Sequence, residues 1–496
     1  MTTLLRRRVL KSALLSALLL VSSAATAQDA VLAGYRKYYA GDRTGARQAL
    51  EAVLVSNTRN LPARFGLLHI LMRRADEERG VEKELEQHLD AFLADAEERH
   101  DGSNGQDFEA IFYLANGYMM RAQYRVNHDK GIWGAARDGA KAKRLIDTYI
   151  RRYPEHGDAY FTLGLYNYYV DIAPSFVRVL RLFLFLPGGN RVEGLKQIER
   201  AYSQGSLFAF PAGLILMEIY STYEHRAADA VRVGERLFQE YPANPDVGMQ
   251  LAEMYASPAI EDYGRAAAQY EGVLKRESAR PSSQGPAKHS ARLGLASMQQ
   301  QQWRLQDAIA GLGEGIAEDP AEPVWVMPNL LLRRGNYRAL MADPAAAEDA
   351  RRVKSNARWK DFHKAADNQL AWLEKRRQSG EEAVYVALVP GNRLVAEKQW
   401  DQAASAYEKV RQQHPNDLQV RYRLAHLRFM RGDPAGAAGE FAVLSETKSA
   451  PAWMRAASLL YLARAHDIAG RHAQAIRIYE RILDDDERES AAFSGR

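Results

Sequence analysis

Side chains able to do chemistry are scattered along this chain. Between residues 100 and 200, Tyr124, His128, Trp133 and the run Tyr166 to Tyr169 concentrate aromatic and titratable groups, so an enzymatic reading would place its site there. Acid–base catalysis needs paired titratable groups held in a cleft, and no local spacing identifies such a pair. H-E-x-x-H, G-x-x-x-x-G-K-[ST] and G-x-S-x-G do not occur. Pro187-Gly188-Gly189-Asn190-Arg191 could bring backbone N–H groups to an anion, but its composition is that of a turn. The expectation is a non-enzymatic protein that needs no cofactor and no metal.

Composition narrows the partners. None of the 496 residues is cysteine. Disulfides, thiolate metal sites, a cysteine nucleophile and a lipidated N-terminal cysteine are thereby excluded. Lys and Arg number 67 against 62 Asp and Glu. Arg6, Arg7, Arg8 and Lys11 precede an apolar run from Ala13 to Val21 and the small residues Ala25-Thr26-Ala27, the layout of a cleavable export signal. The expectation is cleavage after Ala27 by either the general or the twin-arginine route, giving an exported, periplasmic or envelope-associated protein. Removing those four basic residues from 67 leaves 63 against 62, a charge of +1. A nucleic-acid binder would need clustered phosphate-neutralising Lys and Arg. Arg351-Arg352-Val353-Lys354 and Lys375-Arg376-Arg377 instead read as solvated helix faces.

The elements that position everything else follow from an internal period. Ala403, Ala437 and Ala475 stand at equivalent points, each followed four residues on by an aromatic (Tyr407, Phe441, Tyr479) and three further by an aliphatic (Val410, Leu444, Ile482). Alanine lets two antiparallel helices approach, and the aromatic and aliphatic fill the same face. One pair cannot bury that face, so pairs stack. Pro415 with Asn416-Asp417, and Pro242 with Asn244 to Asp246, end one helix and cap the next. Leu424-Ala425 and Leu462-Ala463, with glycines at the turns Gly432 and Gly470, complete a pattern that resembles the tetratricopeptide repeat (TPR) superfamily. The expected fold is all-α, an α-α superhelix: a TPR-like solenoid of antiparallel helix pairs, irregular in its N-terminal part. The weaker matches upstream include Ala142, Ala230, Ala266 and Ala308, with Gly234 and Gly315 where larger residues are usual. The expected division is a signal peptide at 1–27, an irregular region at 28–375 and a regular repeat block at 382–490, with residues 376–382 as a polar link.

In TPR proteins the first helices of successive pairs line a groove for a peptide, so the resemblance implies a protein or peptide partner. It maps the groove onto Asn392, onto Tyr422, His426 and Phe429, and onto Arg464 and Asp467. Pro390 is expected to disrupt the helix carrying Asn392. Residues 175–186 form the most apolar stretch after the leader, with Phe176, Leu182, Phe183 and Phe185 as candidate contacts. A helix of this length is about 18 Å long at the usual rise, too short for a bilayer core of about 30 Å. It is expected either to be wedged between repeats or to rest on a membrane surface. The functional expectation is an interaction scaffold of the bacterial cell envelope. The alternatives are a peripheral membrane-surface protein using residues 175–186, or an enzyme with its site in residues 100–200.

Overall fold

The computed structural model describes residues 28–77, 80–172, 188–280, 286–321, 323–379 and 381–484. The expected leader 1–27 and the apolar stretch 175–186, with Phe176, Leu182, Phe183 and Phe185, lie outside the described residues. The chain divides into two compact units, Met1–Ile260 and Glu261–Arg496. Among the described residues there is no strand. Among them, too, no helix is long and apolar enough to cross a membrane.

The first unit contains α1 (28–39), α2 (Arg43–Ser56), α3 (Leu61–Glu77), α4 (Glu82–Gly102), α5 (Phe108–Asn127), α6 (Ile132–Arg152), α7 (Ala159–Ile172), α8 (Arg191–Gln204), α9 (Ala209–Glu218), α10 (Ala227–Glu240) and α11 (Pro245–Ala256). Consecutive helices pack on one another, as short connections require. Helices begin where a short polar side chain can accept a first-turn amide: Asp42 from Gly45, Asp107 from Ala110, and Asn244 from Asp246 and Val247. Early and late helices of this unit also meet. The Tyr39 hydroxyl donates to the Leu207 carbonyl at 2.7 Å, and Asn244 Nδ2 donates to the Tyr39 carbonyl at 2.9 Å. Tyr39 stacks on Phe210 with ring centroids 4.5 Å apart. Phe65, Phe112 and Phe208 continue this aromatic cluster, and aliphatic side chains such as Leu50, Leu85, Ile146 and Ile198 are buried elsewhere in the unit.

The second unit contains α12 (Tyr263–Ser278), α13 (Pro286–Gln301), α14 (Leu305–Ala317), α15 (Val326–Leu340), α16 (Ala346–Ser355), a 3₁₀ turn (Ala357–Phe362), α17 (His363–Ser379), α18 (Glu381–Ala396), α19 (Trp400–Gln413), α20 (Leu418–Met430), α21 (Pro434–Glu446), α22 (Ala452–Ile468) and α23 (His472–Asp484). The repeat positions behave as the packing argument requires. Ala403 and Ala437 are fully enclosed, Ala475 nearly so, and Tyr407 and Phe441 are buried beside them. Gly432 and Gly470 adopt φ of 89° and 74°, left-handed values that a β-carbon disfavours. Asp417 caps α20 by accepting from Gln419 and Val420.

Two expectations need correction. Pro390 does not break its helix: α18 runs from Glu381 to Ala396 with the proline inside. The carbonyl that loses its donor is that of residue 386, and Val386 is exposed. Residues 376–379 and 381–382 are helical, and Arg376 does not lie on a solvated face. Arg376 is 1% exposed, donates to the Ala339 carbonyl at 3.0 Å and pairs with Glu382 at 3.0 Å. Its guanidinium also lies over the Trp372 and Tyr385 rings. A long stem and a planar cation can be buried when carbonyl, carboxylate and π faces all converge on them. Gly234 and Gly315 also have a reason. A β-carbon would fall 2.7 Å from Met217 at the first and 2.8 Å from Arg292 at the second.

Candidate partner-binding surface

Tyr422, His426 and Phe429 lie at helical spacing on α20, which brings them to one side. Opposite them α22 supplies Tyr461 and Arg464. The Tyr422 ring and the His426 imidazole are parallel within 9°, and His426 Nε2 is 2.9 Å from the Tyr461 hydroxyl. Phe429 and Tyr461 rings meet at 5.1 Å, and Tyr461 stacks on Phe441 of α21 at 5.3 Å. Arg464 spreads over this surface, its Cζ 5.6 Å from the Phe429 ring centre and 5.7 Å from that of Tyr461.

Electrostatics follow from the enclosure. Burial, with Arg423 and Arg464 nearby, pushes the His426 imidazole down to about 3, so the ring is neutral at physiological pH. Burial raises the phenols of Tyr422 and Tyr461. Arg423 has its Cζ 5.9 Å from the Tyr422 ring centre, and its buried Nε meets no hydrogen-bond partner. The cluster thus brings together packed aromatic rings, two guanidinium groups and a neutral imidazole.

The six expected groove residues therefore fare differently. Tyr422, His426, Phe429 and Arg464 come together. Tyr422 and Phe429 are core side chains, 6% and 8% exposed, so they support the surface from beneath and do not offer open apolar contact. Asn392 is also buried, its Oδ1 accepting from the Tyr407 hydroxyl at 2.6 Å. The reason is the close approach of α18 to α19, where Gly391 leaves room for the Tyr407 ring. Asp467 stands apart, exposed, and pairs with His472 at 2.5 Å. The sequence reading missed Tyr461 and Arg423. Tyr461 carried a usable signal, one helical turn before Arg464 on the same face.

The aromatic region 100–200 resolves mainly into core. Tyr124, Tyr166 and Tyr168 are buried, whereas Trp133 and Tyr153 are exposed. A shallow cleft of about 330 Å³ lies there, lined by Glu97, His100, Tyr118 and Lys141 among others. Lys141 Nζ donates to the Tyr118 hydroxyl at 2.9 Å, and that hydroxyl donates to Glu97. Burial and Glu97 raise the Tyr118 phenol, which keeps it protonated and unsuited to act as a base at neutral pH. Among the described residues no group of three or more His, Cys, Asp or Glu is placed to hold a metal ion.

Comparison with known proteins bears on the repeats. Two family models, each described as tetratricopeptide repeat, match residues 394–456 and 259–323. No curated protein matches the chain. Among solved structures, a tetratricopeptide repeat protein from Parabacteroides merdae is 14% identical and aligns over 62% of this chain and 98% of its own, with a TM-score of 0.29. The human IFIT1 dimer with PPP-AAAA is 14% identical over 83% of this chain and 88% of its own, TM-score 0.33. The P58(IPK) TPR domain is 11% identical over 93% and 100%, TM-score 0.24. Scores this low carry no argument of their own. The matched segments include helix pairs that place small residues and aromatics at the repeat positions, and these two segments, residues 259–323 and 394–456, carry tetratricopeptide repeats.

Proposed function

We propose that this protein is a non-catalytic scaffold of the bacterial cell envelope that gathers protein partners on its helical repeats. The observation that carries the reading is the repeated helix pair of the second unit, in which Ala403, Ala437 and Ala475 are buried. Such a stack offers an extended surface instead of a deep reactive pocket. The leader-like residues 1–27 and the absence of cysteine support an exported setting.

Two measurements test this. Mass analysis of the protein recovered from its native host should find a chain beginning at Gln28 in the envelope fraction; an uncleaved cytoplasmic chain removes the export half. Affinity capture from envelope extract by the full mature chain should retain specific proteins that are lost on Arg423→Glu with Arg464→Glu. Capture that retains none removes the scaffold half.

A further inference from the structure

The Arg464 platform already has a carboxylate on it. Arg464 Nη1 lies 3.4 Å from Oε1 of Glu261, which is 203 residues away in sequence and stands at the head of the same compact unit. Glu261 has a φ of 52°, the left-handed conformation that Trp303 and Lys398 adopt at the equivalent point of their turns, so the turn fixes where its side chain starts. It directly precedes Asp262, whose carboxylate caps α12 by accepting from the Arg265 amide at 2.9 Å. The two arginines at this face are unequally served. Arg464 has Glu261, whereas no ion pair to Arg423 is formed among the described residues and its buried Nε is unsatisfied. Asp467, further along α22, is engaged with His472. The face therefore holds more positive charge than its single carboxylate balances.

We propose that this face is self-occupied: Glu261 is an internal carboxylate latched onto the Arg464–Phe429–Tyr461 platform, and an acidic segment of a partner gains the platform by displacing it. The proposal deepens the scaffold reading and rests on it for the existence of a partner. Both members of the latch are partly exposed, with side chains 36% and 39% accessible. An ion pair of that exposure is weak and screened by salt. A weak latch suits the role, because a competitor offering several carboxylates can open it while water alone does not. Rings beneath the guanidinium hold it in place and leave its edge free to accept a carboxylate.

The absence of native cysteine makes the test clean. Nitroxide labels on Ala268→Cys and Ile468→Cys, both exposed positions on α12 and α22, report the separation of the latched elements in the full mature chain by pulsed electron resonance. The expected result is one dominant distance, which broadens toward longer values with Glu261→Gln, with Arg464→Gln, or at high salt. A distribution unchanged by Glu261→Gln overturns the latch. In parallel, fluorescence anisotropy measures binding of a fluorescein-labelled deca-glutamate peptide. Glu261→Gln should tighten binding by about fivefold, the population shift available from one exposed ion pair. Arg464→Gln should weaken binding and abolish that gain. Unchanged or weaker binding by Glu261→Gln, or no binding by any variant, overturns the competition. The label measurement needs no partner, so failure of the latch and failure of the scaffold reading are separable.

Discussion

Acid should destabilise the second unit through His426, and the size of the effect can be worked out. In the unfolded chain its imidazole titrates near the ordinary value of about 6.5. In the fold, burial and then Arg423 and Arg464 hold it down to about 3. The folded state thus favours the neutral ring. The stability this contributes is fully present above pH 6.5 and is lost as pH falls from there toward 3. Between about pH 7.5 and about pH 5 the unfolded ring takes up nearly one proton that the folded ring refuses, which costs about 2 kcal/mol at 1.36 kcal/mol per pH unit. His289, in the same unit, is also lowered by burial and adds in the same direction. Urea denaturation followed by tryptophan emission is the assay, because six of the seven tryptophans (Trp303, Trp325, Trp359, Trp372, Trp400 and Trp453) lie in this unit. His426→Gln keeps an acceptor for the Tyr461 hydroxyl and removes the titration. Wild type should lose about 2 kcal/mol more than this variant over that pH interval, equivalent to roughly 4–8 °C in Tm for a unit of this size. Equal pH dependence in the two proteins would refute the reasoning.

Other perturbations have equally direct expectations. Asp349 is buried and takes hydrogen bonds from Arg334 at 2.9 and 2.6 Å and from Arg338 at 3.1 Å; Asp349→Ala strands Arg334, leaves Arg338 only its longer pair to Asp343 at 3.6 Å, and should cost about 3–5 kcal/mol in urea denaturation. Asp158 accepts from the Ser206, Leu207 and Phe208 amides at 2.7 to 3.1 Å. Burial pushes its carboxyl up, but His156 and the Phe208 and Leu207 amides hold it below the usual range, so its contribution is present above about pH 4 and is lost in stronger acid. Asp158→Ala should cost about 2–3 kcal/mol and speed hydrogen exchange at the Leu207 and Phe208 amides; unchanged exchange would contradict it. A β-carbon at Gly391 would meet Tyr407 Cε1 at 2.3 Å, whereas one at Gly439 meets nothing within 4 Å. Gly391→Ala should therefore destabilise by about 1–3 kcal/mol, and Gly439→Ala should stabilise by roughly 0.5–1 kcal/mol, both read as shifts of Tm.

What was legible in the sequence is what a period can express. Ala403, Ala437 and Ala475 gave away their burial because three helix pairs reuse one interface, and Gly432 and Gly470 gave away their turns because left-handed backbone selects glycine. The groove assignment could not read depth. Tyr422, Phe429 and Asn392 are covered by neighbouring helices, and coverage depends on crossing geometry that no single helix encodes. Tyr479 shows the converse. It matches Tyr407 and Phe441 in the pattern, yet it is only half-buried.

Buried charge is the other thing a hydrophobic pattern hides. Arg121 and Arg125, one turn apart on α5, converge on Asp138 of α6, just as Arg334 and Arg338 of α15 converge on Asp349 of α16. Both aspartates are almost wholly enclosed, with side chains 4% exposed, and in sequence each looks like one more solvated charge. A carboxylate can be buried here because two fixed cations replace its water, and room for them comes from small neighbours: Gly335 lies against Asp349, and its β-carbon would sit 3.5 Å from that of the acid. Arg464 and Glu261 use the same chemistry at a half-exposed site, where the attraction is screened and reversible. Depth alone separates the two uses. A clamp buried between α15 and α16 holds a helix pair together, whereas a pair at the edge of α22 can exchange its carboxylate for a partner's.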